Sequence, residues 1–144
     1  MAVQSTLVPC LPCKVHGITC AMTGLHALIA GVTVAVGAID PTCTLQKVCV
    51  PGYTQTVRPS ASYTNALKRR QMKVRGLPGN PGEYEEDHII PLELCGNPTD
   101  PNNLTPEKWD RARAKDQMEN LLHKRVCAGA MTLQAAQAQV VTYE

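Results

Sequence analysis

Glu83-Tyr84-Glu85-Glu86-Asp87-His88-Ile89-Ile90-Pro91-Leu92, followed fifteen residues after the histidine by Asn103-Leu104, is the stretch on which the reading turns. Tyr84, Glu86, His88 and Ile90 alternate with Glu85, Asp87 and Ile89, the period of a short strand, and Pro91 ends it or confines it to an edge. Neighbouring side chains on a strand point to opposite faces, so Asp87 and His88 meet at one site only where the strand bends or stops. An Asp87 oxygen suits a hard divalent cation such as Mg²⁺ or Mn²⁺. A neutral His88 can take a proton from water. Metal and base together are the components of phosphodiester hydrolysis.

Ser62 to Val74 reads as a helix capped by Ser60 or Ser62, with Lys68, Arg69, Arg70 and Lys73 on its polar side. Gly76 to Gly82 is a breaker-rich loop, and Cys95 to Asn103 is dense in turn residues. Pro41 to Ser62 reads as irregular or extended, with a short strand at Tyr53 to Val57. After Leu104, Thr105 as cap and Pro106 as first helical residue predict a long helix, stopped by Gly129. Glu107 in its first turn would suit the helix dipole. Thr132 caps a last helix through Val141. The expected class is α+β, strands in the middle and helices around them.

The chain of 144 residues suits one domain, and 44% hydrophobic content allows a core. Charged residues, at 18%, are too few for a disordered polyelectrolyte, and no internal repeat suggests a solenoid. The net charge of +2 hides segregation. Arg58 to Arg75 holds six basic residues and no acidic one; Glu83 to Asp100 holds six acidic residues and no Lys or Arg. Either two solvated surfaces neutralise each other, or a phosphate-binding surface adjoins an acidic metal site.

Ile18 to Ile39 carries no formal charge over 22 residues, and Val36-Gly37-Ala38 supplies small residues before Ile39. We read residues 1–38 as an export segment, cleaved near Ala38 or retained as a membrane anchor, rather than as a buried helix. Cys10, Cys13, His16 and Cys20 are spaced too tightly for the usual zinc knuckle. Cys43, Cys49, Cys95 and Cys127 remain for two disulfides in an exported domain. Spacing leaves the connectivity open; the favoured pairing is Cys49–Cys127 and Cys43–Cys95.

Glu85 to Leu104 resembles the core of the HNH nucleases, also called His-Me finger or ββα-metal nucleases, with Asp-His, two aliphatic residues, Pro, a Gly-containing turn and Asn-Leu before a helix. More narrowly, Cys49 to Gln137 is similar to a family of small exported bacterial proteins with the pattern C-x-x-G-Y-x-x-x-V-R-P, S-Y-T-N-x-L-K, Y-E-E-D-H-L-I-P-L-E-L-G-G, N-L-W-P, K-D-x-x-E-N-x-L-H and V-C. Matching stretches include Gly52-Tyr53, Val57-Arg58-Pro59, Ser62 to Asn65, Tyr84 to Leu94, Lys115-Asp116, Glu119-Asn120, Leu122-His123 and Val126-Cys127. Ile89 stands where the pattern has Leu, Cys95-Gly96 where it has Gly-Gly, and Thr105 where it has Trp.

The resemblance implies a ββα-metal core over about residues 83–126, inside a domain of residues 39–144. It implies His88 as general base, Asp87 as metal ligand and Asn103 as the residue that holds the loop and orients His88. The usual offset for the last ligand lands near Ala112, which cannot bind metal. A longer lead moves it to Asp116, Glu119, Asn120 or His123; Asp116 is the first choice and His123 the second. Phosphate contacts would come from Arg58, Lys68, Arg69, Arg70 and Lys73. The expectation is a monomeric, exported, Mg²⁺- or Mn²⁺-dependent endonuclease acting on DNA, or on RNA, with no small-molecule cofactor. Its rivals are a non-catalytic extracytoplasmic binding module that keeps the fold, and an interaction protein held at the membrane through residues 18–39.

Overall fold

The computed structural model describes residues 36–143. The export or anchor segment up to residue 35 and the Cys10, Cys13, His16, Cys20 group lie outside the described residues. Among the described residues no helix is long and apolar enough to cross a membrane.

The fold is α+β, five helices around a two-stranded antiparallel ribbon among the described residues. Strands β1 (Tyr84–His88) and β2 (Leu104–Lys108) pair from Tyr84 opposite Lys108 to His88 opposite Leu104. Helices α1 (Leu45–Val48), α2 (Tyr53–Val57) and α3 (Ala61–Arg75) precede the ribbon. Helices α4 (Trp109–Cys127) and α5 (Leu133–Val141) follow it.

Strand β1 and the caps of α3 and α5 fall where the pattern puts them: Ser60 Oγ accepts from Tyr63 N, and Thr132 Oγ1 accepts from Ala135 N. Two segments differ. Tyr53 to Val57 is helix α2, not a strand. Gly52 starts it in the left-handed region at φ 83°, and Thr56 Oγ1 turns back onto the Tyr53 carbonyl, so local turn geometry overrides the β-branched side chains. Thr105 and Pro106 belong to β2, and α4 begins only at Trp109. A two-stranded ribbon has an open edge on every strand, which tolerates a proline without an N–H. Glu107 therefore lies on the strand, and Asp110 is the acidic residue of the first helical turn.

Helix α3 is fastened to the ribbon by polar side chains. Lys68 Nζ donates to the Tyr84 carbonyl at 2.7 Å, Gln71 Nε2 to the Leu104 carbonyl at 2.9 Å, and Arg75 to Thr105 Oγ1 at 2.7 Å. On the other side Ile90 and Leu94 pack with Leu122 and Val126 of α4 and Ala136 and Val140 of α5. Disulfides join Cys43 to Cys95 and Cys49 to Cys127, the favoured pairing. They close separations of 52 and 78 residues, worth about 4 kcal/mol each on the chain-entropy account. They fit an oxidising, extracytoplasmic compartment.

Candidate active-site cleft

His88 ends β1 just before the chain turns at Pro91. Its ring is buried, and Nε2 lies 3.1 Å from the Pro98 carbonyl. A carbonyl only accepts, so Nε2 carries the proton and Nδ1 keeps the lone pair. Burial lowers the His88 pKa below the ordinary histidine value. At neutral pH the ring is an uncharged base in one fixed tautomer.

Asn103 holds the loop that positions this carbonyl. It is fully buried and uses both ends of its amide. Oδ1 accepts from Ala38 N at 3.1 Å and Ile90 N at 2.9 Å; Nδ2 donates to the Ile90 carbonyl at 3.0 Å and the Asn97 carbonyl at 2.9 Å. It thus clamps Asn97, the neighbour of Pro98, and reaches His88 only through the backbone. Gly96 closes the same turn: a Cβ there would lie 1.7 Å from the Ile90 carbonyl oxygen. Cys95, where the family pattern has glycine, sits in the left-handed region at φ 64°.

Asp87 points to the other face of β1, toward α4. Oδ1 accepts from His88 N at 2.8 Å, and Oδ2 lies 2.7 Å from Lys115 Nζ. Lys115 is fully buried. Its ammonium also donates to the His88 carbonyl at 2.7 Å and lies 3.5 Å from Glu119 Oε1 and 3.9 Å from Glu107 Oε2. Glu107 pairs in turn with Arg111.

A cleft of about 370 Å³ opens over these groups. Six carboxylates line it: Glu85, Glu86, Asp87, Glu93, Asp116 and Glu119. His88, Asn120, Arg58 and Thr54 complete its polar wall. Glu86 and Glu119 are more than nine-tenths buried. Among the described residues both Glu86 oxygens and Glu93 Oε1 lie buried without a hydrogen-bond donor, and Glu119 Oε1 has only the Lys115 ammonium, 3.5 Å away. Burial pushes the Glu86 and Glu119 carboxyls up to about 8, and raises Glu85 and Glu93 as well.

The structure therefore brings Asp87, His88, Asp116 and Arg58 to one cleft, with Asn103 behind it. His123 lies outside. Its Nε2 donates to the Val48 carbonyl at 2.9 Å, and its Nδ1 faces Glu93 Oε2 at 3.7 Å. Lys68, expected on phosphates, is buried on the Tyr84 carbonyl. Arg69, Arg70 and Lys73 are exposed on α3 and are not among the cleft's lining residues.

Lys115 and the pairing role of Glu119 are what sequence reasoning missed. The signal was there: Ala112, Lys115, Glu119, Leu122 and Val126 are the buried residues of α4, spaced three and four apart. Two charged residues stand in an otherwise apolar stripe, where an ion pair has to be inside the protein. Compared with known proteins, the chain matches no family model, no curated protein and no solved structure.

Proposed function

We propose that the chain is an exported, metal-dependent phosphodiester hydrolase acting on DNA or RNA, with β1, β2 and α4 as a ββα-metal core of the HNH kind. The observation that carries it is His88: a buried imidazole with Nε2 committed to the Pro98 carbonyl, Nδ1 free of a proton, and a carboxylate-lined cleft beside it.

The residues fit a hard divalent cation. An ionised carboxylate offers about four lone-pair sites, and Asp87 has donors on two. Buried carboxylate oxygens without donors line the same cleft. Asp87, Asp116 and Glu119 would hold Mg²⁺ or Mn²⁺. Such an ion polarises a phosphoryl oxygen and stabilises the charge that develops on it. The chain supplies the rest. His88 Nδ1 accepts the proton of the attacking water. Asn103, through Asn97 and Pro98, keeps the ring in its working tautomer. Arg58, on the rim, pairs with the phosphate, while Arg69, Arg70 and Lys73 contact more distant phosphates without reading bases. Lys115 fixes the Asp87 carboxylate in place.

One observation favours the second reading, a binding module that keeps the fold without catalysis: Lys115 already gives Asp87 a counter-charge at 2.7 Å. Plasmid nicking separates the two. The oxidised chain is incubated with Mg²⁺ or Mn²⁺, with chelator, and beside His88→Ala. Metal-dependent nicking that the variant loses supports the hydrolase. Equal background from folded, metal-loaded wild type and variant, across DNA and RNA substrates, rejects it.

A further inference from the structure

Behind the cleft, where α4 ends, a second group of chemistry-bearing side chains converges. Cys127 and His123 stand four residues apart on α4, and Cys49 follows α1. One donor atom from each lies within 4.8 Å of the others, and His123 Nε2 is 3.4 Å from Cys127 Sγ. That is the separation of a nitrogen and a sulfur sharing one tetrahedral zinc, given bonds of about 2.0 and 2.3 Å. Glu93 faces the far side of the ring, with Oε2 3.7 Å from Nδ1. Zinc-bound histidines commonly have a carboxylate in that position, where it fixes the tautomer. An open cleft of about 200 Å³, lined by Cys49, Glu93 and His123 among others, brings solvent to the group. Cys127 is exposed and Cys49 half-buried, so reductant and metal can both reach the sulfurs.

We propose that Cys49, Cys127 and His123 form a zinc site that is the reduced counterpart of the Cys49–Cys127 disulfide, with water from the cleft as fourth ligand. The exchange balances with a dithiol reductant. The protein disulfide and the dithiol pass to two protein thiols and an oxidised, cyclic reductant. Zinc then binds two thiolates and His123 Nε2, releasing two protons. Nε2 gives up its hydrogen bond to Val48 for the metal, and the ring's single proton moves from Nε2 to Nδ1, where it faces Glu93, so the two protons released are those of the thiols. Oxidation reverses the step and expels the ion. The same two points, Cys49 after α1 and the end of α4, stay tied in both states: by zinc in a reducing compartment, by the S–S bond in an oxidising one. This inference does not rest on the hydrolase reading: Glu93 lines both clefts, but the proposed ligands Cys49, Cys127 and His123 are not among the residues that line the hydrolase cleft.

The test uses the full chain with Cys10→Ser, Cys13→Ser and Cys20→Ser, reduced by a phosphine and titrated with Co²⁺ as a spectroscopic stand-in for zinc. One equivalent should give tetrahedral ligand-field bands and thiolate charge transfer. Both should vanish in Cys49→Ser and Cys127→Ser and survive in Cys43→Ser, and His123→Ala should weaken binding at least tenfold. Zn²⁺ should displace the cobalt and slow re-formation of the Cys49–Cys127 bond, read by peptide mapping. The proposal is overturned if Cys43→Ser abolishes the spectrum as fully as Cys49→Ser. It is equally overturned if the bands are octahedral only, or if the reduced chain neither binds cobalt nor regains helical circular dichroism when cobalt is added.

Discussion

Lys115→Met tests how the cleft is held together. Methionine keeps most of the aliphatic stem and removes only the ammonium, so the core gains little empty space. What is lost is the 2.7 Å contact with Asp87, the 2.7 Å bond to the His88 carbonyl, and the longer pairings with Glu119 and Glu107. At an effective dielectric of about 20, one charge pair at that shortest distance is a gross attraction of about 6 kcal/mol. Desolvation of both ions offsets much of it, and breaking a buried pair from one side costs about 3–5 kcal/mol. We expect a loss of about 3 kcal/mol at pH 7 in urea unfolding with both disulfides intact. The loss should shrink toward pH 4, because carboxylates without the ammonium can take protons instead. Mg²⁺ should stabilise the variant more than the parent, since a divalent cation replaces the missing charge; occupancy at 100 times Kd adds about 2.7 kcal/mol. A loss below about 1 kcal/mol at pH 7, with no added response to Mg²⁺, would refute the reasoning.

Burial holds the folded Glu86 and Glu119 carboxyls at about 8 against 4.5 unfolded, so between those values the folded chain binds more protons. Stability should therefore fall as pH rises from about 5 to 8, read as a falling Tm, and Glu86→Gln should flatten the slope. The lowered His88 pKa places the acid limb of any nicking activity below the ordinary histidine value of 6.5; a kcat/KM profile with its midpoint above 7 would contradict the assignment. Asn103→Ala orphans the buried Ile90 N–H and carbonyl, for an expected loss of about 2–4 kcal/mol in denaturant. Gly96→Ala drives a methyl against the Ile90 carbonyl, so circular dichroism should show a chain that does not reach the native fold.

The elements legible in the sequence are those whose signal is local. Alternation from Tyr84 to His88 makes a strand, and serine or threonine before an apolar run makes a cap. The failures have the opposite cause. Thr105-Pro106 has the chemistry of a helix start, yet pairing with Asp87 and Glu86 holds it extended. Tyr53 to Val57 has the residues of a strand, yet among the described residues it has no partner strand, and it turns after Gly52. Pairing across 20 residues cannot be read from a five-residue window. The same limit hid the site's internal cation. Asp87, His88 and Asn103 stand in a recognisable string, whereas Lys115 acquires its role only when α4 is laid against β1.

The two charge blocks show why both simple readings of them fall short. Mutual neutralisation would put Arg58–Arg75 against Glu83–Asp100, yet the shortest ion pairs of the acidic block go to other residues, Glu83 to Lys108 and Asp87 to Lys115. A wholly phosphate-binding surface would turn the basic block outward, yet Lys68 and Arg75 donate inward to Tyr84 and Thr105 and set the position of α3. What remains outward is Arg69, Arg70 and Lys73 on the helix and Arg58 at the cleft rim. What remains of the acidic block in the cleft is Glu85, Glu86, Asp87 and Glu93, joined there by Asp116 and Glu119 of α4. Six carboxylates line the cleft against the Lys115 ammonium and the Arg58 guanidinium, which leaves it short of positive charge. Protons on Glu86 and Glu119 supply it below about pH 8, and a divalent cation can take their place. A core that needed only stability could carry leucine at the Lys115 and Glu119 positions of the α4 stripe, so the desolvation cost of charging them is consistent with the proposed ligand-binding role of the cleft.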